Sequence, residues 1–177
     1  VVPSVAIREG VKKTLEVTKA HFESHYEPYS YFVYDSNNFS RIKEFGRGKT
    51  TQIMIINIDA FNSQKNRRIY EVQEHTEGNK PIDIIKETNP VVIIDEPQSV
   101  VGNSTPSKPS KGVEAIKALN PSLILRYSAT HRARTYDIYK LSAVDAYQKG
   151  LVKEIVVNSV IVDEDFNEPY IYVADID

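Results

Sequence analysis

The chain has 177 residues, 41% of them hydrophobic, which is enough for one domain of ordinary size with room for an appendage. It contains no cysteine, which excludes disulfides and thiolate metal sites, and no apolar run approaching the ~18 residues of a membrane helix. A formal net charge of −2 lacks the overall basicity of a free-standing nucleic-acid binder, so any DNA contact has to come from a local patch or from other domains. A cytoplasmic protein fits these limits, without a membrane partner. The opening "VVPSVAIREG" has neither the charged and apolar regions of a signal peptide nor a starting methionine, so the chain is expected to be a section of a longer one.

In chain order, Val1-Val2 reads as the tail of a strand and Pro3-Ser4 as a turn, with Ser4 capping a helix from Val5 onward. Ile7, Val11, Leu15 and Phe22 form that helix's apolar stripe. "YSYFVYDS" carries a strand from Tyr31 to Tyr34, followed by a polar segment and a β-branched strand from Ile53 to Ile58. A short helix is expected over Ile82 to Thr88, ended by Asn89-Pro90. After it "VVIIDE" is the continuous apolar run typical of a parallel strand buried on both faces. "GNSTPSKPSKG" is a flexible loop, and a helix from Val113 to Leu119 leads through Asn120-Pro121 into the strand "SLILRYSAT". This β-α-β rhythm predicts an α/β fold with a doubly wound parallel sheet. Beyond Tyr136 a short helix near Ala143 to Gln148 precedes strands at Leu151 to Val157, Ser159 to Val162 and Tyr170 to Val173, a connector or small added sheet.

Gly48-Lys49-Thr50 imitates the end of a phosphate-binding P-loop. The motif G-x-x-x-x-G-K-[ST] needs its first glycine for the tight turn, and Lys43 stands there instead. A P-loop must also open a helix, whereas a strand follows here. The expectation is a polar turn, with any true P-loop elsewhere.

Chemistry in parallel sheets gathers at the carboxyl ends of strands, and two such ends are polar here. Asp95-Glu96-Pro97-Gln98 follows Val91 to Ile94: an aspartate there can hold magnesium through its water shell, and Glu96 would orient an attacking water. Taken alone, Asp-Glu-Pro is also an ordinary turn. Ser128-Ala129-Thr130 ends the next strand, where the hydroxyls either hydrogen-bond a neighbouring carboxylate and relay a change at the nucleotide, or form a simple turn or cap.

Four stretches in order, "VVPSVAIREGV", "IMIINIDAFN", "VVIIDEPQSV" and "LRYSATH", together with the connector "VDAYQKGLVKEI", closely resemble the first motor domain of the restriction (Res) subunit of type III restriction-modification enzymes. These are superfamily 2 helicase-like ATPases, and the resemblance runs over essentially the whole chain. It implies a RecA-like parallel sheet with flanking helices over residues 1–140, incomplete at its N-terminal side, and a connector with a small β extension over 141–177. It implies ATP and magnesium as cofactors, with Asp95, Glu96 and Gln98 forming the DEAD-like Walker B box and Glu96 and Asp95 catalytic. By the same resemblance Ser128, Ala129 and Thr130 form the coupling motif. Pro3 and Ser4 belong to a DNA-contacting motif, with Asn57 and Asp59 in or beside the next one. Double-stranded DNA and a methyltransferase (Mod) subunit are the implied partners, in a prokaryotic cytoplasm. The family's P-loop, second motor domain and nuclease domain have no counterpart in this sequence.

Other features have plainer readings. His21 and His25 lack the H-E-x-x-H order of a zinc site and read as a solvated helix face. Lys65, Arg67, Arg68, Arg132 and Arg134 either touch DNA phosphates or are simply solvated. Tyr29, Tyr31 and Tyr34 alternate as half-buried strand residues rather than as base-stacking platforms. Two rival functions stay open: a superfamily 2 ATPase of another pathway, such as a type I restriction motor or repair helicase, and a non-enzymatic α/β interaction module.

Overall fold

The computed structural model describes residues 1–37, 39–62, 68–73, 76, 78–102, 104, 107–129 and 137–153. The chain divides into two units, Val1–Ala133 and Arg134–Asp177. In the first, helix α1 spans Val5–Glu23, begun by the Ser4 hydroxyl accepting the Ile7 N–H at 3.3 Å. It is followed by strand β1 (Tyr29–Val33), helix α2 (Ser40–Glu44), strand β2 (Thr51–Ile55) and the one-turn helix α3 (Asp59–Asn62). Helix α4 (Pro81–Glu87), strand β3 (Val91–Asp95), helices α5 (Pro97–Val101) and α6 (Lys111–Ala118) and strand β4 (Leu123–Tyr127) complete the unit.

Two parallel pairs, β1 with β2 and β3 with β4, form small sheets. Val1-Val2 lies between them. The Val2 N–H donates to the Ile56 carbonyl and the Ile58 N–H to the Val2 carbonyl, both at 3.0 Å. On the other side the Val1 nitrogen donates to the Ile93 carbonyl at 2.6 Å and the Asp95 N–H to the Val1 carbonyl at 3.2 Å. The expected strand tail thus serves as a two-residue splice between the two sheets.

The two helix-to-strand joints are built alike. Helices α4 and α6 each end before an asparagine with positive φ, Asn89 (45°) and Asn120 (48°), and each asparagine precedes a proline that cannot continue a helix. The Asn120 side-chain amide donates to the Asn89 side-chain oxygen at 2.7 Å, so the two turns are tied together. The core gathers Ile42, Ile56, Ile69, Ile85, Ile94 and Leu119, all fully buried, with Phe39, Phe61 and Val92 around them.

Several expectations need correction. β3 is not buried on both faces: Val92 and Ile94 are inside, but Val91 and Ile93 are 56% and 52% exposed. Their cross-strand partners Leu123 and Leu125 continue the same face, with Leu123 50% exposed, because no helix among the described residues of this unit covers it. The stripe on α1 is only half-buried, and Phe22 is exposed; the helix is instead tethered by the Tyr29 hydroxyl donating to the Leu15 carbonyl at 2.8 Å. Pro97 does not stop a strand in a plain turn but opens α5 at its first position, where a missing N–H costs nothing. α2 forms in the segment read as merely polar, with its one buried side chain, Ile42, in the core.

In the second unit helix α7 spans Ala143–Gln148. Ser142 and Asp145 close a reciprocal capping box at its start, and the Ser142 hydrogen bonds hold the Asp145 carboxyl below its usual range. Leu151–Lys153 are irregular, and the remaining strands expected beyond them lie outside the described residues.

Candidate functional site

Asp95 ends β3 directly opposite Tyr127, the last residue of β4, so the two polar strand ends are adjacent by register. Ser128 is the next residue. The Glu96 N–H donates to the Tyr127 carbonyl at 3.0 Å, which carries the pairing one residue past the end of β3. Glu96 itself is left-handed, at φ 50° and ψ 61°, an uncommon conformation for glutamate of a kind that recurs at functional sites. It turns the chain sharply from β3 into α5, whose first turn presents Gln98 back toward the strand ends.

The side chains then connect. The Gln98 amide nitrogen donates to Glu96 Oε2, and the Ser128 hydroxyl donates to Gln98 Oε1 at 2.9 Å. Glu96 and Ser128 are therefore joined through Gln98, not directly. Ala129 follows Ser128 at the strand end, while Thr130 lies outside the described residues. The sequence offers the Glu96 and Ser128 positions but no signal for the bridge, which depends on the sharp turn at Glu96.

The proposed DNA-contacting residues collect elsewhere on the unit. Ser4 spends its hydroxyl on the α1 cap, with Pro3 beside it half-buried. Asn57 Oδ1 accepts the Asp59 N–H at 2.9 Å, in a turn that follows β2. These two residues line a cleft of about 270 Å³ shared with Arg8 of α1 and with Asp35 and Ser36 after β1. Arg8 was not singled out in the sequence, although its place one turn after the Ser4 cap was the available signal. Arg68 is occupied within the fold: it donates to Asn37 Oδ1 at 2.7 Å and lies over the Phe39 ring at 5.7 Å. Lys65, Arg67, Arg132 and Arg134 lie outside the described residues. His25 Nδ1 sits 2.9 Å from the His21 carbonyl oxygen on exposed helix surface.

Gly48-Lys49-Thr50 leads into β2, a strand. The backbone N–H of Gly46, which a phosphate cradle would need, donates instead to the Gln52 side chain at 2.7 Å. Lys49 is exposed. Lys49→Ala is expected to leave ATP turnover by the full-length subunit within a few-fold of wild type, and micromolar binding of Mg-ATP to the 177-residue chain that disappears in Lys49→Ala, read by calorimetric titration, would overturn this.

No protein-family model matches the chain. Among curated proteins it is 28% identical over 176 residues to the Type III restriction-modification enzyme EcoP15I Res subunit of Escherichia coli, a match covering 88% of this chain and 17% of that protein. It is 28% identical over 191 residues to the StyLTI Res subunit of Salmonella typhimurium, covering 88% of this chain and 19% of the relative. The chain is Res-subunit-like. The EcoPI Res subunit of Escherichia phage P1 matches at 26% identity over 178 residues, again 88% of this chain and 17% of the relative. This Res-like chain thus spans less than a fifth of the length of the relatives it matches. Among its described residues no helix is long and apolar enough to cross a membrane.

Proposed function

We propose that this chain is part of the first motor domain of an ATP-driven DNA translocase, the restriction subunit of a type III restriction-modification system. The observation that carries the reading is the union of the two polar strand ends: Glu96, Gln98 and Ser128 form one hydrogen-bonded set beside Asp95 at the carboxyl edge of a parallel strand pair. An interaction module in which Asp95-Glu96 is only a turn gives no reason for that set. The parallel strands with flanking helices are compatible with a RecA-like sheet.

The donor chemistry fits a hard cation. Asp95, an oxygen donor at the carboxyl end of a parallel strand, would hold magnesium through its water shell. Magnesium, when bound, neutralises charge on the phosphate oxygens. Glu96 orients the water, Asp95 holds the cation's water shell, and Ser128 with Ala129 and Thr130 couples hydrolysis to movement. ATP is bound with help from a P-loop elsewhere in the subunit. Pro3, Ser4, Asn57 and Asp59 meet double-stranded DNA, which a Mod partner recognises. A nuclease domain in the same subunit makes the cut, in a prokaryotic cytoplasm.

The test is ATP turnover by the full-length subunit with and without DNA. Turnover is expected to rise on adding DNA and to be lost, with or without DNA, in Asp95→Asn. Turnover that ignores DNA and survives Asp95→Asn rejects the reading.

A further inference from the structure

We infer that the amino edge of the spliced sheets, at the opposite end of the strands from Glu96, is a second surface for duplex DNA, where Arg47, Lys49, Lys86 and Lys117 form a row of cations that takes the phosphate backbone. This rests on the reading of the protein as one that works on DNA, but not on the contacts proposed for Pro3, Ser4, Asn57 and Asp59. β1 with β2 and β3 with β4 pair in parallel, and Val2 bridges Asn57 in parallel. The Val1 bonds to Ile93 and Asp95, on either side of Ile94, are those of parallel neighbours. The turns that enter β2, β3 and β4 therefore share one edge. They are also joined to one another. Gly46, before β2, lies so close to Thr88 that an added Cβ would strike the Thr88 methyl. Thr88 adjoins Asn89, whose side-chain oxygen accepts the Asn120 amide at 2.7 Å from the turn before β4.

Each of these turns brings positive charge to the edge. Arg47 and Lys49 flank Gly48, and both are exposed. Lys86 and Lys117 stand exposed in the last turns of α4 and α6, each three residues before one of the linked asparagines, so the sequence repeats K-x-x-N-P at Lys86 to Pro90 and at Lys117 to Pro121. Among the described residues none of the four makes an ion pair, unlike Arg8 with Glu9 or Lys13 with Glu16. Glu44 and Glu87 are the carboxylates beside them in sequence, so cations are in excess along the row. A lysine in a last turn also complements the helix dipole, but Arg47 and Lys49 stand outside any helix.

The rest of these turns selects the kind of polyanion. Gly46, Gly48, Thr50, Asn89, Asn120 and Ser122 are small or polar, and no large apolar side chain is exposed within the turns. A protein partner is held by aromatic and aliphatic anchors, whereas phosphates are held by Lys, Arg, Asn, Ser and Thr without them. A mononucleotide finds no cradle, since the Gly46 N–H is spent on Gln52. From β2 across Val1-Val2 and β3 to β4 the edge spans about 14 Å at ~4.8 Å per strand, room for several phosphates at one per ~3.4 Å along each DNA strand.

The test is equilibrium binding of a labelled duplex of random sequence to the full-length subunit, read by fluorescence anisotropy over a series of salt concentrations. The pair Arg47→Gln with Lys49→Gln and the pair Lys86→Gln with Lys117→Gln are each expected to weaken binding about tenfold at low salt. Each pair should also make the slope of log K against log salt shallower by about 2, and the quadruple variant by about 4, since each lost phosphate contact removes about one released counterion. Lys86→Arg with Lys117→Arg, which keeps the charge, should bind like wild type. Lys12→Gln with Lys13→Gln, two exposed lysines of α1, should leave the slope unchanged. Wild type that binds no duplex at low salt removes the DNA reading and this surface with it. Wild type that binds, with a quadruple variant of unchanged slope, overturns the surface alone, as does an equal loss in the α1 pair. Polyglutamate that binds wild type but not the quadruple variant, while duplex binding is the same in both, overturns it in favour of an acidic protein segment.

Discussion

Glu96→Gln in the full-length subunit is expected to lower ATP hydrolysis by about 10²–10⁴-fold while leaving nucleotide binding nearly intact. The substitution keeps the size of the side chain and one oxygen that can still accept the Gln98 amide, so the local hydrogen bonding survives. What it removes is the negative charge that orients and polarises the attacking water. An interaction present only when the water is attacking should appear in kcat and hardly in affinity. Single-turnover hydrolysis and equilibrium nucleotide binding separate the two quantities. Hydrolysis within fivefold of wild type would remove Glu96 from the chemistry.

Gly112→Ala should be the most damaging single methyl in the structure. A Cβ at Gly112 would stand 2.1 Å from the Val100 carbonyl oxygen and 3.1 Å from its carbon, and neither atom belongs to a side chain able to turn aside. Gly112 lies in the first turn of α6, which Ser110 caps by accepting the Val113 N–H at 3.3 Å, while the Ser110 hydroxyl donates to the Val101 carbonyl. α6 therefore starts pressed against the end of α5 and cannot retreat without breaking the bond from Ser110 to the Val101 carbonyl. The expected cost is about 3 kcal/mol, roughly 6–12 °C of melting temperature for a chain of this size. Gly10 is the control: nothing lies within 4 Å of its would-be Cβ on α1, so Gly10→Ala should raise stability by about 0.5–1 kcal/mol. Thermal melts of the two variants should move in opposite directions. Equal melting of Gly112→Ala and wild type would mean that α5 and α6 do not meet in this way.

Elements with their own strong local code were legible from sequence. The run at β3, the strand Leu123–Tyr127, the helix Ala143–Gln148 and the Ser4 cap all fall where residue type and punctuation place them. The short helices were not, because a five-residue segment such as α2 or α5 is stabilised by what it packs on rather than by propensity. The left-handed turn at Glu96 ran against local expectation, since a residue before proline is normally extended. The Gln98 bridge follows from that turn and was hidden with it. Burial was misread where the apolar run of β3 suggested two covered faces and the fold covers one.

Val1-Val2 sets the order in which this sheet is able to close. The hydrogen-bond partners of the two residues are Ile56 and Ile58 on one side and Ile93 and Asp95 on the other, with 92 positions separating the Val1 nitrogen from the Ile93 carbonyl. The dipeptide has nothing to pair with until both flanking strands exist. Closing such long loops is entropically slow compared with forming β1–β2 or β3–β4, whose members are separated by tens of residues at most. The middle of the sheet is thus the last part to form, and the two strand pairs have to be in place before the seam between them closes.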